Sequence, residues 1–118
     1  MTEEELKQRT KNFALRIIKL VNNLPNTIAG KNIGNQLFRS GTSVAANYRA
    51  VCRSRSTAEF LAKLNTVIEE ADESMFWIEI IIESKIIEKN LLLPLLKEAD
   101  EIVAIMVASR KSAQKNNK

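Results

Sequence analysis

Apolar residues recur three and four positions apart along four long stretches of this chain, and very little interrupts them. Leu6, Phe13, Ile17, Leu20 and Leu24 set the first stripe, and Ala14, Ile18 and Val21 widen it. That spacing puts side chains on one face of an α-helix. With three Gly and two Pro in 118 residues, the chain lacks the turn signals that a sandwich or barrel needs about every 8–12 residues. The length suits one domain with one core. The expected fold is all-α, an antiparallel up-down four-helix bundle with short connections. Residues 1–111 form its single domain, followed by a polar, flexible tail over 112–118.

Local signals bound the helices. Thr2 and Glu5 make a capping box ahead of Leu6, and Pro25 disfavours helix at Leu24, giving a first helix over about 2–24. Asn26 or Thr27 can cap the second, over about 27–53, with Ile28, Ile33, Leu37, Val44, Tyr48, Val51 and Cys52 on its buried side. Its centre, Ser40-Gly41-Thr42-Ser43, is built of small residues. Gly41 costs a helix interior about 1 kcal/mol relative to Ala, so a close neighbour or a kink must account for it. Asn47 needs a partner if buried; the expectation is a hydrogen bond between helices, near Ser43 or Ser40. Ser56 and Glu59 form a second capping box. It opens a third helix over about 56–86, with Phe60, Leu64, Val67, Ala71, Met75, Ile78 and Ile82 inward. The fourth spans about 89–111, with Pro94 in or near its first turn. Leu92, Leu95, Leu96, Ala99, Ile102, Val103 and Met106 form its stripe.

Two segments carry more apolar circumference than a lone bundle hides. From Phe76 to Ile82 only Glu79 is polar, and from Ile102 to Ala108 nothing is. Seven residues cover nearly two turns, whereas a surface helix needs an apolar stripe only about 100° wide. Soluble monomers rarely leave a large apolar patch bare. The expectation is a homo-oligomer joined through the third and fourth helices, with Trp77, Ile80, Ile81 and Ile105 at the contact.

The chain has no His, which removes the commonest general base and the commonest metal ligand together. Cys52 thus lacks an imidazole partner and reads as a small core residue. Glu69, Glu70, Asp72 and Glu73 read as a polar helix face, since bundle di-metal centres also use His. One or two of these acids can pair with Arg39, Arg49 or Arg53. Gly41-Thr42-Ser43 is followed by no Lys, so it is not a phosphate-binding loop. No enzymatic activity, cofactor or metal is expected. No uncharged apolar run reaches the roughly 18 residues that a membrane span needs. The acidic start is no secretory signal. One cysteine fits a reducing cytoplasm, the expected location.

Charge is segregated along the chain. Residues 6–58 carry ten basic residues and no acidic one, while 59–101 carry eleven acidic and four basic. Such asymmetry points to a polyanion partner or to complementary packing, or simply to solvated outer faces. Arg49 and Arg53 share a helix face, and Arg53-Ser54-Arg55 lies at a helix junction where basic heads can reach phosphates. With Lys7, Lys11, Lys19 and Lys31 as outer support, these are the candidate contacts for RNA or DNA. Few aromatics are available for base stacking, so binding would be backbone-directed and salt-dependent. The alternative is a protein-interaction scaffold that presents the same surface to an acidic protein.

A long ordered signature carries a family resemblance. It comprises Gln36-Leu37-Phe38-Arg39-Ser40-Gly41-Thr42-Ser43-Val44-Ala45-Ala46-Asn47-Tyr48-Arg49-Ala50, then Cys52-Arg53-Ser54-Arg55-Ser56, then Ala58-Glu59-Phe60-Leu61-Ala62-Lys63-Leu64. Glu69-Glu70-Ala71-Asp72-Glu73-Ser74-Met75-Phe76-Trp77 completes it. The chain resembles, over about residues 9–111, the bacterial four-helix bundle family known as the intervening-sequence or S23 family. Where many members have an acidic residue and Gly after the Asn, this chain has Arg49-Ala50-Val51. The resemblance implies a left-handed up-down bundle that assembles into a homopentamer, and it implies no enzymatic activity. It extends distantly to the accessory variability protein of diversity-generating retroelements, a basic pentamer that binds nucleic acid. By that analogy a basic ring binding RNA is the leading expectation.

Overall fold

Three of the four helices begin where a side-chain oxygen takes up a backbone N–H that the helix itself cannot satisfy. In the computed structural model, which describes residues 1–116, Thr2 caps α1 (Glu3–Asn22). Its hydroxyl accepts from the Glu5 N–H at 3.1 Å, and the Glu5 carboxylate accepts from the Thr2 N–H at 3.2 Å. Thr27 caps α2 (Ile28–Cys52) by accepting from the Gly30 N–H at 3.0 Å. Ser56 caps α3 (Thr57–Glu83) by accepting from the Glu59 N–H at 3.1 Å. Only this hydroxyl half of the second capping box forms. At the far end of α3 the chain reverses through Lys85, which adopts φ 61°. The N–H groups of Lys85 and Ile86 donate to the Ile82 and Ile81 carbonyls at 3.0 and 3.1 Å, a Schellman closure with Lys in the place that usually goes to Gly.

The fourth helix, α4 (Lys89–Asn116), outruns its expected end near 111. Arg110, Lys111, Ala113, Gln114 and Lys115 all favour helix, and the basic ones suit a helix C-terminus. The expected flexible tail is therefore helical through Asn116, and 117–118 lie outside the described residues. Pro94 is the sixth residue of α4, just past its first turn.

Each helix packs on its neighbour in sequence, α1 on α2, α2 on α3 and α3 on α4. A sparser contact between α1 and α4 closes the ring, and diagonal helices stay apart. This is the expected up-down bundle, about 49 × 21 × 21 Å. Phe13, Ile17, Leu37, Val44, Leu64, Val67, Ile78, Ile102 and Met106 fill its core. Among the described residues, no helix is long and apolar enough to cross a membrane.

Gly41 is explained by a close neighbour. A Cβ built there would lie 2.7 Å from both Cγ1 and Cγ2 of Ile17 on α1. At the adjacent position, Ser40 faces α3, where its hydroxyl lies 3.0 Å from that of Ser74 in the buried core. That pair changes which face of α3 turns inward. Ser74 and Ile81 are buried, while Met75 and Ile82 are only half-buried at the edge. Ile81 was expected at a contact between copies; with 0% exposure it belongs to the core of the single chain, three residues from Ile78 on the same stripe. Ile28, expected inside, is 83% exposed at the first turn of α2. Asn47 donates to the Ser43 carbonyl at 2.9 Å, within α2 and not between helices.

Ion pairs lock the outer edges. Arg39 on α2 donates to Glu70 at 3.0 Å and to Glu73, both on α3, and Trp77 Nε1 donates to Glu73 at 3.1 Å. Arg9 spans the sparse α1–α4 seam. Its Nε and Nη2 reach the two oxygens of Glu98 at 2.7 Å each, and Nη2 also reaches Glu101 at 2.8 Å.

Candidate nucleic-acid interface

The antiparallel run of α1 beside α2 brings the start of α1 against the end of α2. Residues four apart on a helix lie one above the other, so Lys7 and Lys11 line one wall and Arg49 and Arg53 the other. Between them is a groove of about 430 Å³, floored by Ala45 and Ala46. The alanines matter because their short side chains let a bulky anion approach the arginine and lysine heads. Glu4 is the acidic lining residue and lies 3.7 Å from Lys7. On the opposite flank of α2 a second groove, of about 470 Å³, is lined by Arg49, Arg53, Arg55 and Lys63, with Glu59 as its acid. Among the described residues, no carboxylate lies within ion-pairing distance of Lys11, Arg49, Arg53, Arg55 or Lys63.

Five of the seven cations expected to act together, Lys7, Lys11, Arg49, Arg53 and Arg55, therefore gather at one end of the bundle. Lys19, in the last turn of α1, and Lys31, near the start of α2, stand at the other end. Arg39, which shares the basic half of the sequence, is tied to Glu70 and Glu73. Lys63 escaped sequence reasoning because it lies in the acidic half. The packing of α2 against α3, which also pairs Ser40 with Ser74, brings it beside Arg49.

Near this end, burial pushes the Cys52 thiol up from its ordinary value, and nearby Glu3 adds to the effect. Burial, with Cys52 beside it, likewise raises the Tyr48 phenol. Both groups therefore stay protonated and add no negative charge beside the arginines. Trp77, Ile80 and Ile105 are half-buried against the core edge. Exposed large apolar side chains occur on all four helices, among them Leu15 on α1 (55%), Phe38 on α2 (47%), Phe76 on α3 (51%) and Leu91 on α4 (71%). Phe76 meets Trp77 edge-on at 4.9 Å.

The sequence pattern of the family described as 23S rRNA-intervening sequence protein matches residues 2–108. The chain belongs to that family. This intervening-sequence protein is also similar to a solved structure described as a protein with unknown function from the S23 ribosomal protein family of Bacteroides thetaiotaomicron VPI-5482. The two share 30% sequence identity and a TM-score of 0.84, over 94% of this chain and 99% of that one. No curated protein matches the intervening-sequence protein.

Proposed function

We propose that this intervening-sequence protein binds the sugar-phosphate backbone of RNA or DNA through the α1–α2 groove, and does so without catalysing a reaction. The observation that carries this reading is the convergence of Lys7, Lys11, Arg49 and Arg53 on one alanine-floored groove with a single acidic neighbour. Cations held this way neutralise phosphates and release counterions, which gives affinity without sequence preference. The test is binding of labelled RNA at low and high salt. Tight binding that falls steeply with salt, and collapses in Arg49→Ala/Arg53→Ala, supports the reading. Affinity that ignores salt, or no binding at low salt, defeats it.

The chain acts as a homo-oligomer in this proposal, with the pentamer that the resemblance implies. Half-exposed Trp77, Ile80 and Ile105, together with outward Phe76, supply apolar surface for a neighbouring copy. Repeating a weak groove by symmetry raises its hold on a long polyanion. Light scattering that finds a monomer at micromolar concentration removes this part. A scaffold that engages an acidic protein is the second reading, favoured by the edge-on Phe76–Trp77 pair at the surface. A protein partner that survives nuclease treatment in a pull-down would select it.

A further inference from the structure

On the nucleic-acid reading above, we infer that the ligand is a duplex, whose two phosphate rows settle into the two grooves that flank the last turns of α2. The grooves share Arg49, Arg53 and Ala46, so these residues form a ridge with a cationic trough on either side. Each trough has its own outer cations. Lys7 and Lys11 stand on α1 on one side, and Arg55 and Lys63 stand at the α2–α3 turn and on α3 on the other. Each trough also has a small side chain of its own in its lining, Ala45 in one and Ala50 in the other. A single strand carries one row of phosphates and fills one trough, leaving the other pair of cations facing water. A duplex carries two rows, and it neutralises both.

The spacing suits two rows. The troughs are separated by the width of α2, about 10–12 Å for a helix with its side chains. The major groove of B-form DNA is about 12 Å wide, and A-form RNA offers a wide, shallow minor groove between its backbones. The ridge is made of arginines on α2, which stands at a corner of the four-helix ring with α1 and α3 packed on its two sides. A corner helix of this kind can face such a groove while its two troughs meet the backbones on either side. Contacts of this kind read backbone shape, and sequence only weakly.

The test compares a labelled duplex of about two helical turns with one of its own strands, in DNA and RNA versions, on the full chain. Six engaged cations give a log–log salt slope of about −5 for a duplex, whereas four give about −3 for a single strand. Between about 50 and 200 mM salt the duplex then loses roughly 2,000-fold in affinity and the single strand roughly 50-fold. Lys63→Ala shallows the duplex slope by about one and leaves the single strand, held in the α1–α2 trough, within about twofold. Circular dichroism confirms that the variant is folded. A steeper slope for either duplex, with the Lys63 effect confined to it, supports the inference. Equal slopes for duplex and single strand, or a single strand that binds more tightly than both duplexes, overturn it and leave the backbone-binding reading standing. Binding by neither form removes both.

Discussion

Gly41 on α2 rests so closely on Ile17 of α1 that a methyl group at Gly41 would sit 2.7 Å from two of the isoleucine carbons. The α1–α2 pair is thereby drawn tight at mid-height, and the two walls of the basic groove below it are set side by side.

That contact separates two glycines of the same helix. Gly41→Ala destabilises the fold by about 1–3 kcal/mol, because overpacking outweighs the gain of about 1 kcal/mol in helix propensity. Gly34→Ala meets only Leu24 Cδ1 and Val21 Cγ1, at 3.4 Å, an ordinary contact distance. It stabilises the fold by about 0.5–1 kcal/mol. Urea midpoints of the two variants should move in opposite directions.

Arg9 bridges the α1–α4 seam, and its guanidinium is held charged first by its hydrogen bonds to Glu98, then by the one to Glu101. Arg9→Met keeps the aliphatic stem but strands a largely buried carboxylate. The loss is about 1–3 kcal/mol. In Arg9→Met/Glu98→Met the two losses should sum to less than their separate values, a coupling that a double-mutant cycle measures directly.

Glu73 should impose an acid limit on the α2–α3 edge. Its partial burial pushes the carboxyl up, but hydrogen bonds from Arg39 and Trp77 and the charge of Arg39 together outweigh burial and hold it below the ordinary value. A carboxylate with a depressed folded pKa stabilises the fold above its unfolded pKa of about 4.3, and this contribution drains away as pH falls through the folded value. Thermal melts from neutral pH down to about pH 3 should therefore show less acid sensitivity in Glu73→Gln than in the parent chain. Equal sensitivity would exclude Glu73 as a contributor.

Lys85 closes α3 in the left-handed region, at φ 61°, where a side chain is strained and glycine is not. Lys85→Gly keeps both closing hydrogen bonds and relieves that strain. The expected gain is about 0.5–1 kcal/mol, read as a higher melting temperature.

Helix number, order and starts are legible in the linear chain because they depend on neighbours within one turn. Thr2, Thr27 and Ser56 cap where their spacing to the next donors says they should. The choice between adjacent faces of one helix was less legible. Periodicity favoured Met75 and Ile82 because they are apolar. Ser74 went inside instead, since Ser40 on another helix met its hydroxyl, and Ile81 followed on the same stripe. The basic residues of α1 and α2 stood out as a run, but Lys63 was hidden among acids, and nothing local marked Arg39 as already paired.

By itself, then, the sequence determined four amphipathic helices in an up-down order, and a stretch from residue 6 to 58 without a carboxylate. Both are properties of composition and of spacing within a turn or two. Only the tertiary structure decided which cations stand together. Antiparallel packing folds Lys7 and Lys11 against Arg49 and Arg53, sends Lys19 and Lys31 to the opposite end, and adds Lys63 from the acidic half. Charge acts through distance in space, and that distance exists only once the helices have chosen their neighbours and their register.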